Sequence, residues 1–175
     1  MAETLRRMVQ AFGLKREAFV WMDHNARATG DALILVVVTR LLILVGFGVS
    51  LLGAATSLSG LEALFRAMLN AAVFWLGYSG ITYAAARFMF DGDGGYATVL
   101  RVAGFAYPTL LLFLVTGRVF SNLFVAFLVA AIWFLVIVAH GVRAVSDLSL
   151  EKSLAASALG LAGWIVVASI LGYGL

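Results

Sequence analysis

The sequence predicts an all-α integral membrane protein, in which an N-terminal amphipathic helix at the membrane interface precedes a bundle of five transmembrane helices. Two observations predict this fold. Of the 175 residues, 63% are hydrophobic and only 12% are charged, whereas soluble domains average about 45–50% apolar and about 25% charged residues. The apolar residues also fall into five runs of about 20 residues, the length that crosses a bilayer as a helix. A soluble domain of this size could not bury so much apolar surface.

The five apolar runs define the predicted spans. They extend from about Ala32 to Ala55, Ala67 to Phe90, Ala97 to Thr116, Val119 to His140 and Ser153 to Tyr173. The connections are too short to hold a second domain. Residues 32–175 are therefore predicted to form one transmembrane domain, and residues 1–31 a cytoplasmic segment in front of it.

The N-terminal segment has the pattern of an amphipathic helix and not of a signal peptide. Four apolar residues have the i, i+3, i+4, i+7 spacing of one helix face: Leu5, Met8, Val9 and Phe12. The aromatic residues Phe19 and Trp21 follow further along. Such a segment lies among lipid headgroups, with its basic residues toward anionic phospholipid. Docking onto a partner protein is the alternative.

The basic residues predict the orientation. Ten of the twelve Lys and Arg residues lie in the N-terminal segment or near the side of the membrane on which that segment is predicted to lie. Only Arg66 and Arg118 lie near the other side. Because basic residues are enriched on the cytoplasmic side, the N-terminus is predicted to be cytoplasmic. After five crossings the C-terminus is outside.

Several function classes are excluded by missing residues. The chain has no cysteine, which excludes thiol catalysis and iron–sulfur clusters. It has two scattered histidines and no nucleotide-binding or serine-hydrolase motif. We therefore expect no enzymatic activity, no catalytic residue, no cofactor, no metal and no nucleic-acid partner. His140 is expected to make a structural hydrogen bond.

Three arginines near the cytoplasmic side form a candidate lipid or ion-pair cluster. Arg40 interrupts the first span, Arg87 is near the end of the second and Arg101 is near the start of the third. The candidate partners are a lipid phosphate, which Arg binds well, or the carboxylates Asp91 and Asp147. For Arg40 three interpretations stay open: it snorkels to the headgroups, pairs with an acid, for which Asp31 is a further candidate, or lines a pathway.

Proline and small residues predict where helices bend and pack. Pro108 is the only proline and should kink the third span near Gly104, with the Tyr107 hydroxyl beside it. Small residues at four-residue spacing are typical of helix-packing faces. They form two stripes: Gly46, Ser50 and Ala54, and Ala156, Gly160, Ala168 and Gly172 with Trp164 at the missing step. These faces serve either the bundle itself or a homo-oligomer or partner.

From about Gly13 to the C-terminus the chain resembles the Yip-domain (Ypt-interacting-protein) family of five-span membrane proteins. Lys15-Arg16-Glu17-Ala18-Phe19 is similar to the lead-in of bacterial members. Asp91-Gly92-Asp93-Gly94-Gly95-Tyr96 is a glycine-rich turn, and Gly104-Phe105-Ala106-Tyr107-Pro108 resembles the Gly-aromatic-x-x-Pro element. Trp133 in the fourth predicted span and an alanine-rich last span also resemble the pattern of this family.

The resemblance implies a location and leaves the function open. It is to the bacterial branch, which implies the bacterial cytoplasmic (inner) membrane. Eukaryotic members, linked to Rab GTPases and vesicle traffic, carry an Asp-Leu-Tyr-Gly-Pro element that this sequence lacks, so that role is not carried over. Our hypothesis is a non-enzymatic protein that acts by association, as a scaffold or accessory subunit of a membrane complex. The alternative is a channel, transporter or lipid-handling protein that uses the arginine cluster and the kinked third helix.

Overall fold

The computed structural model describes residues 2–120 and 122–170, with the backbone alone described for Leu52 and Leu123. In these residues all regular structure is helical. The α-helices are, in chain order, α1 (Ala2–Phe12), α2 (Arg16–His24), α3 (Ala28–Gly46), α4 (Leu51–Ala55), α5 (Leu58–Ala84), α6 (Tyr96–Ala106), α7 (Leu112–Val119), α8 (Leu123–Ser146) and α9 (Leu150–Ile170). A π-helical turn (Ala85–Met89) extends α5, and a 3₁₀ turn (Tyr107–Leu111) joins α6 to α7.

The membrane character of the chain is confirmed by four helical segments. Within the described residues, the segments long and apolar enough to cross a membrane are Ala28–Gly46, Tyr96–Val119, Phe124–Ser146 and Leu150–Ile170. The predicted second span corresponds to α5, which is 27 residues long but is not one of the four. Polar residues such as Asn70, Ser79 and Thr82 lower its hydropathy. The five-span count therefore stays a prediction.

The first predicted span is wrong at its C-terminal end. Instead of continuing to Ala55, α3 ends at Gly46, and Gly48 has a φ of +82° that only glycine adopts readily. The short helix α4 then begins, and the Ser50 side chain caps it by accepting a hydrogen bond of 3.1 Å from the Gly53 backbone N–H. Residues 46–54 therefore do not lie on one helix.

The predicted connection between the first two spans is largely helical. Helix α5 begins at Leu58, where the Ser57 side chain accepts a hydrogen bond of 3.1 Å from the Gly60 backbone N–H. The prediction placed a connection from Thr56 to Arg66. A serine cap favours a helix start even among polar residues, and this signal was overlooked.

The last two helices are displaced from the predicted bounds. Helix α8 continues past His140 to Ser146, so Arg143 lies on the helix. It ends at Asp147, whose φ of 52° is left-handed. Helix α9 starts at Leu150, three residues before the predicted span. The predicted end at Tyr173 lies outside the described residues.

The N-terminal segment forms two helices. Helix α1 ends in a Schellman motif, in which the Lys15 backbone N–H donates to the Gln10 carbonyl at 2.9 Å and the Leu14 N–H to the Ala11 carbonyl at 3.0 Å. Leu14 takes the left-handed conformation, with φ of 56°. This turn reverses the chain, and α2 packs against α6 and α8.

Helix α6 lies at the centre of the bundle. It packs against α3, α5 and α8. In the most apolar 18-residue stretch of Tyr96–Val119, 61% is buried, whereas the corresponding share for Ala28–Gly46 is 22%. Beside it, an aromatic cluster joins α5, α8 and α9, with Phe74 contacting Tyr78, Phe134 and Trp164 at ring-centroid distances of 5.6, 6.2 and 5.7 Å. Large aromatic side chains therefore fill the space between these three helices.

Candidate functional site

The most extensive polar contacts of the described bundle hold the N-terminal segment to α6. Arg101 donates from Nη1 to the backbone carbonyls of Met22 and Asp23, each at 2.9 Å, and from Nε to the Thr29 hydroxyl at 2.9 Å. Met22 and Asp23 are in the last turn of α2, where carbonyls have no partner within the helix and the helix dipole favours a cation. Arg101 thus satisfies the end of α2 and links it to the start of α3.

A hydrogen bond from a second residue of α6 and two apolar contacts reinforce this docking. One helical turn before Arg101, the Thr98 hydroxyl donates to the Asp23 carboxylate at 2.6 Å. The rings of Trp21 and Phe105 meet edge to face, 6.1 Å apart. Phe19 is 1% exposed and lies against Gly141 of α8, where a β-carbon would crowd it. Phe19 and Trp21, the aromatic residues of the predicted interfacial segment, therefore pack against the bundle.

Helix α1 is joined to the same assembly. The Thr4 hydroxyl donates to the Asp31 carboxylate of α3 at 3.1 Å. The Arg7 guanidinium lies over the Trp21 ring, 5.4 Å from its centroid, and donates to Glu3 at 2.7 Å. Hydrogen bonds from Arg6 and Arg7 hold the pKa of the Glu3 carboxyl below its usual value. Leu5 and Val9, on the predicted apolar face, are 51% and 63% exposed.

Arg87 stabilises the glycine-rich turn. Its Nη1 donates at 3.0 Å both to the Gly92 carbonyl and to the Asp93 carboxylate. Asp91, the predicted partner, instead occupies a left-handed position with φ of 58°. The turn contacts the C-terminal end of α8, where the Asp93 backbone N–H donates to the Ser146 carbonyl at 3.2 Å.

Arg40 has a different environment. It is half-buried on α3, and its Nε is buried with no hydrogen-bond partner in the described residues. Helix α3, which carries Arg40, packs against the neighbouring 3₁₀ turn that contains Tyr107. Asp31, one acid considered for it, accepts from Thr4 instead. None of the ion pairs within the described residues includes Arg40.

The predicted arginine cluster is thus distributed over three sets of contacts. Arg101 binds the end of α2, Arg87 binds the turn after α5, and Arg40 lies near Tyr107. Asp147 lies elsewhere, in a cleft between α2 and α8 that Arg143 also lines. The structure does not bring the three guanidinium groups to a common ligand.

The comparison with protein families matches residues 15–173 to the Yip1 domain, nearly the whole chain. The chain belongs to the Yip1 domain family. Neither the curated proteins nor the solved structures give a match. The resemblance inferred from the lead-in, the glycine-rich turn and the Gly-aromatic-x-x-Pro element is therefore confirmed.

In this Yip1 domain the Gly-aromatic-x-x-Pro element has two structural roles. A β-carbon on Gly104 would come within 2.5 Å of the Ala32 β-carbon, so glycine allows α6 to approach α3 closely. The helix is interrupted at Tyr107, three residues after Gly104, where the 3₁₀ turn places Pro108 in its first turn. Proline lacks the N–H that a continuous α-helix would need there.

The two small-residue stripes have different environments. Gly46 packs against Leu114, and a β-carbon there would come within 2.6 Å of it, whereas Ser50 is the cap of α4 and Ala54 lies against Gly60. This stripe is divided by the break after α3. In the second stripe, four residues are buried toward the bundle interior: Ala156, Gly160, Trp164 and Ala168. Gly160 and Trp164 face Thr82 and Gly77 of α5, and Gly172 lies outside the described residues.

Sequence reasoning missed the residues that hold the Yip1 domain's N-terminal segment. Thr98, Asp23 and Thr29 are polar residues without a motif, and only the fold places them within reach of α6. Arg101 was identified, but as a member of a lipid or ion-pair cluster with Arg40 and Arg87. Its spacing of one helical turn from Thr98 is the signal that two polar groups share a face of α6.

Proposed function

We propose that this Yip1-domain protein acts without enzymatic chemistry, by association, as a scaffold or accessory subunit of a membrane complex. The observation that supports this is the docking of α2 by Arg101. Because α1 and α2 are held to the bundle, they present a surface of fixed shape. Leu5 and Val9 on that surface are exposed, and exposed apolar residues next to each other favour contact with a protein or a membrane surface.

Five spans with a cytoplasmic N-terminus belong to the same proposal. At 1.5 Å per residue α5 is about 40 Å long, more than the roughly 30 Å of a hydrocarbon core. It packs against α9, α6 and α3, which are segments apolar enough to cross. If α5 is counted as a span, ten of the twelve basic residues lie on the same side of the membrane as the N-terminus. This excess favours a cytoplasmic location for that side.

The topology is tested by labelling single cysteines, since the chain has none of its own. Ser59, in the first turn of α5, and Gly95, between α5 and α6, are exposed and can each be replaced by cysteine. In the bacterial inner membrane, an impermeant maleimide should label Ser59→Cys from outside, and Gly95→Cys only after permeabilisation. Labelling of both from the same side would show that α5 does not cross.

The association is tested by co-purification from native membranes in mild detergent. A stoichiometric membrane-protein partner should be recovered with the wild type and lost with Leu5→Ser/Val9→Ser. Leu58→Ser is the control, because Leu58 is 88% exposed at the first residue of α5. A wild type that is monomeric and has no partner would contradict the proposal, as would equal recovery with the double variant.

The alternative of a channel, transporter or lipid-handling protein rested on the arginine cluster and on the kinked third helix. Two members of the cluster, Arg87 and Arg101, donate to backbone carbonyls and to side chains of the same chain. The observation that favours a lipid-related role is a different group of basic residues, between α2 and α8.

A further inference from the structure

A half-open cleft of about 470 Å³ lies between the start of α2 and the end of α8. This volume is within the range of small-molecule sites in proteins. Its polar lining comes from Arg16 on α2 and from His140, Arg143 and Asp147 at the end of α8, and Leu14 and Leu148 contribute apolar walls. Two chain segments separated by more than a hundred residues thus converge on one basic surface.

The two guanidinium groups of the cleft are available to a ligand. None of the ion pairs within the described residues includes Arg16, Arg143 or Asp147. Both arginines are exposed, and neither donates a side-chain hydrogen bond to the described part of the chain. With one carboxylate against two guanidinium groups, the cleft carries a net positive charge before His140 is counted.

His140 is oriented so that its ring can form a hydrogen bond in the cleft. Its Nδ1 donates to the Val136 carbonyl at 2.9 Å, since a carbonyl can only accept. This bond confirms the structural hydrogen bond expected for His140. It leaves Nε2 as the ring nitrogen for the cleft, where the imidazolium form donates a hydrogen bond.

The end of α8 is shaped so that Arg143 and Asp147 share this cleft. Asp147 ends the helix in a left-handed conformation, with φ of 52°, and Leu148 after it is 8% exposed and packed into the core. On the other wall, Phe19 is fixed against Gly141. The Arg16 and Arg143 backbones are therefore held by buried neighbours, which makes the cleft preorganised.

We propose that this cleft binds a phosphate group. Two guanidinium groups and an imidazole suit the oxygens of a phosphate, because Arg forms paired charge-assisted hydrogen bonds with phosphate. In a membrane protein the source is either the headgroup of an anionic phospholipid or free phosphate. The proposal uses none of the residues of the predicted arginine cluster except Asp147, and it does not depend on the association proposed above.

The test uses the full chain, purified in detergent and titrated with phosphatidylglycerol, with bound lipid counted by native mass spectrometry. Arg16→Gln and Arg143→Gln should each weaken binding about fivefold, since each removes charge-assisted hydrogen bonds at a solvent-exposed site. Lys15→Gln is the matched control, because it removes one positive charge from the same segment outside the cleft. It should bind as the wild type does.

A gain-of-affinity variant keeps the test independent of folding defects. Asp147→Asn removes the one carboxylate among the described residues that line the cleft, and asparagine tolerates the left-handed conformation. It should bind phosphatidylglycerol about threefold more tightly. Wild-type affinity in Arg16→Gln, Arg143→Gln and Asp147→Asn would overturn the proposal, and so would an equal loss in Lys15→Gln, which would indicate unspecific surface charge.

Inorganic phosphate distinguishes the two sources. If added phosphate displaces the lipid and raises the melting temperature of the wild type more than that of Arg143→Gln, the site recognises phosphate itself. If phosphate does neither while the lipid binds with the variant pattern above, the site recognises a lipid headgroup. If neither probe binds more tightly to the wild type than to Arg143→Gln, the proposal is wrong.

Discussion

The Thr98 hydroxyl donates a hydrogen bond of 2.6 Å to the carboxylate of Asp23, and so joins α6 to α2 across 75 residues of sequence. Arg101, on the same face of α6, binds the carbonyls at the end of α2. Because these polar contacts lie where α2 gives way to α3, they hold the N-terminal segment in one position relative to the bundle. The surface that α1 and α2 present is therefore a property of the folded bundle and not of a free tail.

Arg101→Gln should loosen α2 without unfolding the bundle. The change removes the charge-assisted hydrogen bonds to Met22, Asp23 and Thr29, which are worth about 1–2 kcal/mol together at a partly exposed site. Hydrogen exchange should therefore become about tenfold faster in residues 16–29. Arg118→Gln, which removes an exposed arginine from the last turn of α7, is the control and should leave exchange there unchanged. Equal protection of residues 16–29 in Arg101→Gln would show that the apolar contacts alone hold α2.

Much of the architecture was predictable, because apolar composition and run length constrain a membrane helix strongly. All-helical structure, membrane-spanning character and family membership follow from features as simple as the apolar runs and the element Gly104 to Pro108. The helix ends were predicted less well. The breaks at Gly48 and Ser57 depend on a positive φ and on a serine cap, and a hydropathy pattern does not register either feature.

The candidate site was harder to predict, since it depends on which helix faces meet. Arg87 and Arg101 looked alike in sequence, yet one holds a turn and the other the end of a helix. Arg16 and Arg143 are far apart in the chain and line the same cleft. No local spacing connects them, so only the fold of α2 against α8 identifies the pair.

Trp75→Phe should lower the free energy of unfolding by about 1–3 kcal/mol. The Trp75 indole is 4% exposed and donates to the Leu100 carbonyl at 2.7 Å, so phenylalanine loses a buried hydrogen bond and leaves unfilled volume. Trp133→Phe is the matched control, because Trp133 is 39% exposed. This substitution should change the free energy of unfolding little. Thermal unfolding in detergent measures both. Equal losses for the two variants would mean that the Trp75 hydrogen bond contributes nothing specific.

Acid should selectively weaken α1 through Glu3. Hydrogen bonds from Arg6 and Arg7 lower the pKa of Glu3 in the folded chain, so its stabilising effect is present above the ordinary carboxyl pKa of about 4.3. The effect is lost as the pH falls through the lowered pKa. Hydrogen exchange in residues 2–12, compared at each pH between the wild type and Glu3→Gln, should differ at neutral pH and converge in acid. A difference that does not shrink as the pH is lowered would contradict this.

Gly104→Ala should destabilise the contact between α3 and α6, and Ala32→Gly should restore part of it. The added β-carbon would lie 2.5 Å from that of Ala32, and overpacking of this kind costs about 1–3 kcal/mol. Ala32→Gly alone costs about 1 kcal/mol through lower helix propensity. If the two β-carbons clash, the double variant should be more stable than the sum of the single losses predicts, by about 1 kcal/mol. Gly30→Ala, on α3 with Ala32, is the control. Nothing lies within 4 Å of the β-carbon position of Gly30, so this variant should not destabilise the protein. Strict additivity in thermal unfolding would mean that α6 moves away from α3 as a unit, and that Gly104 does not set their separation.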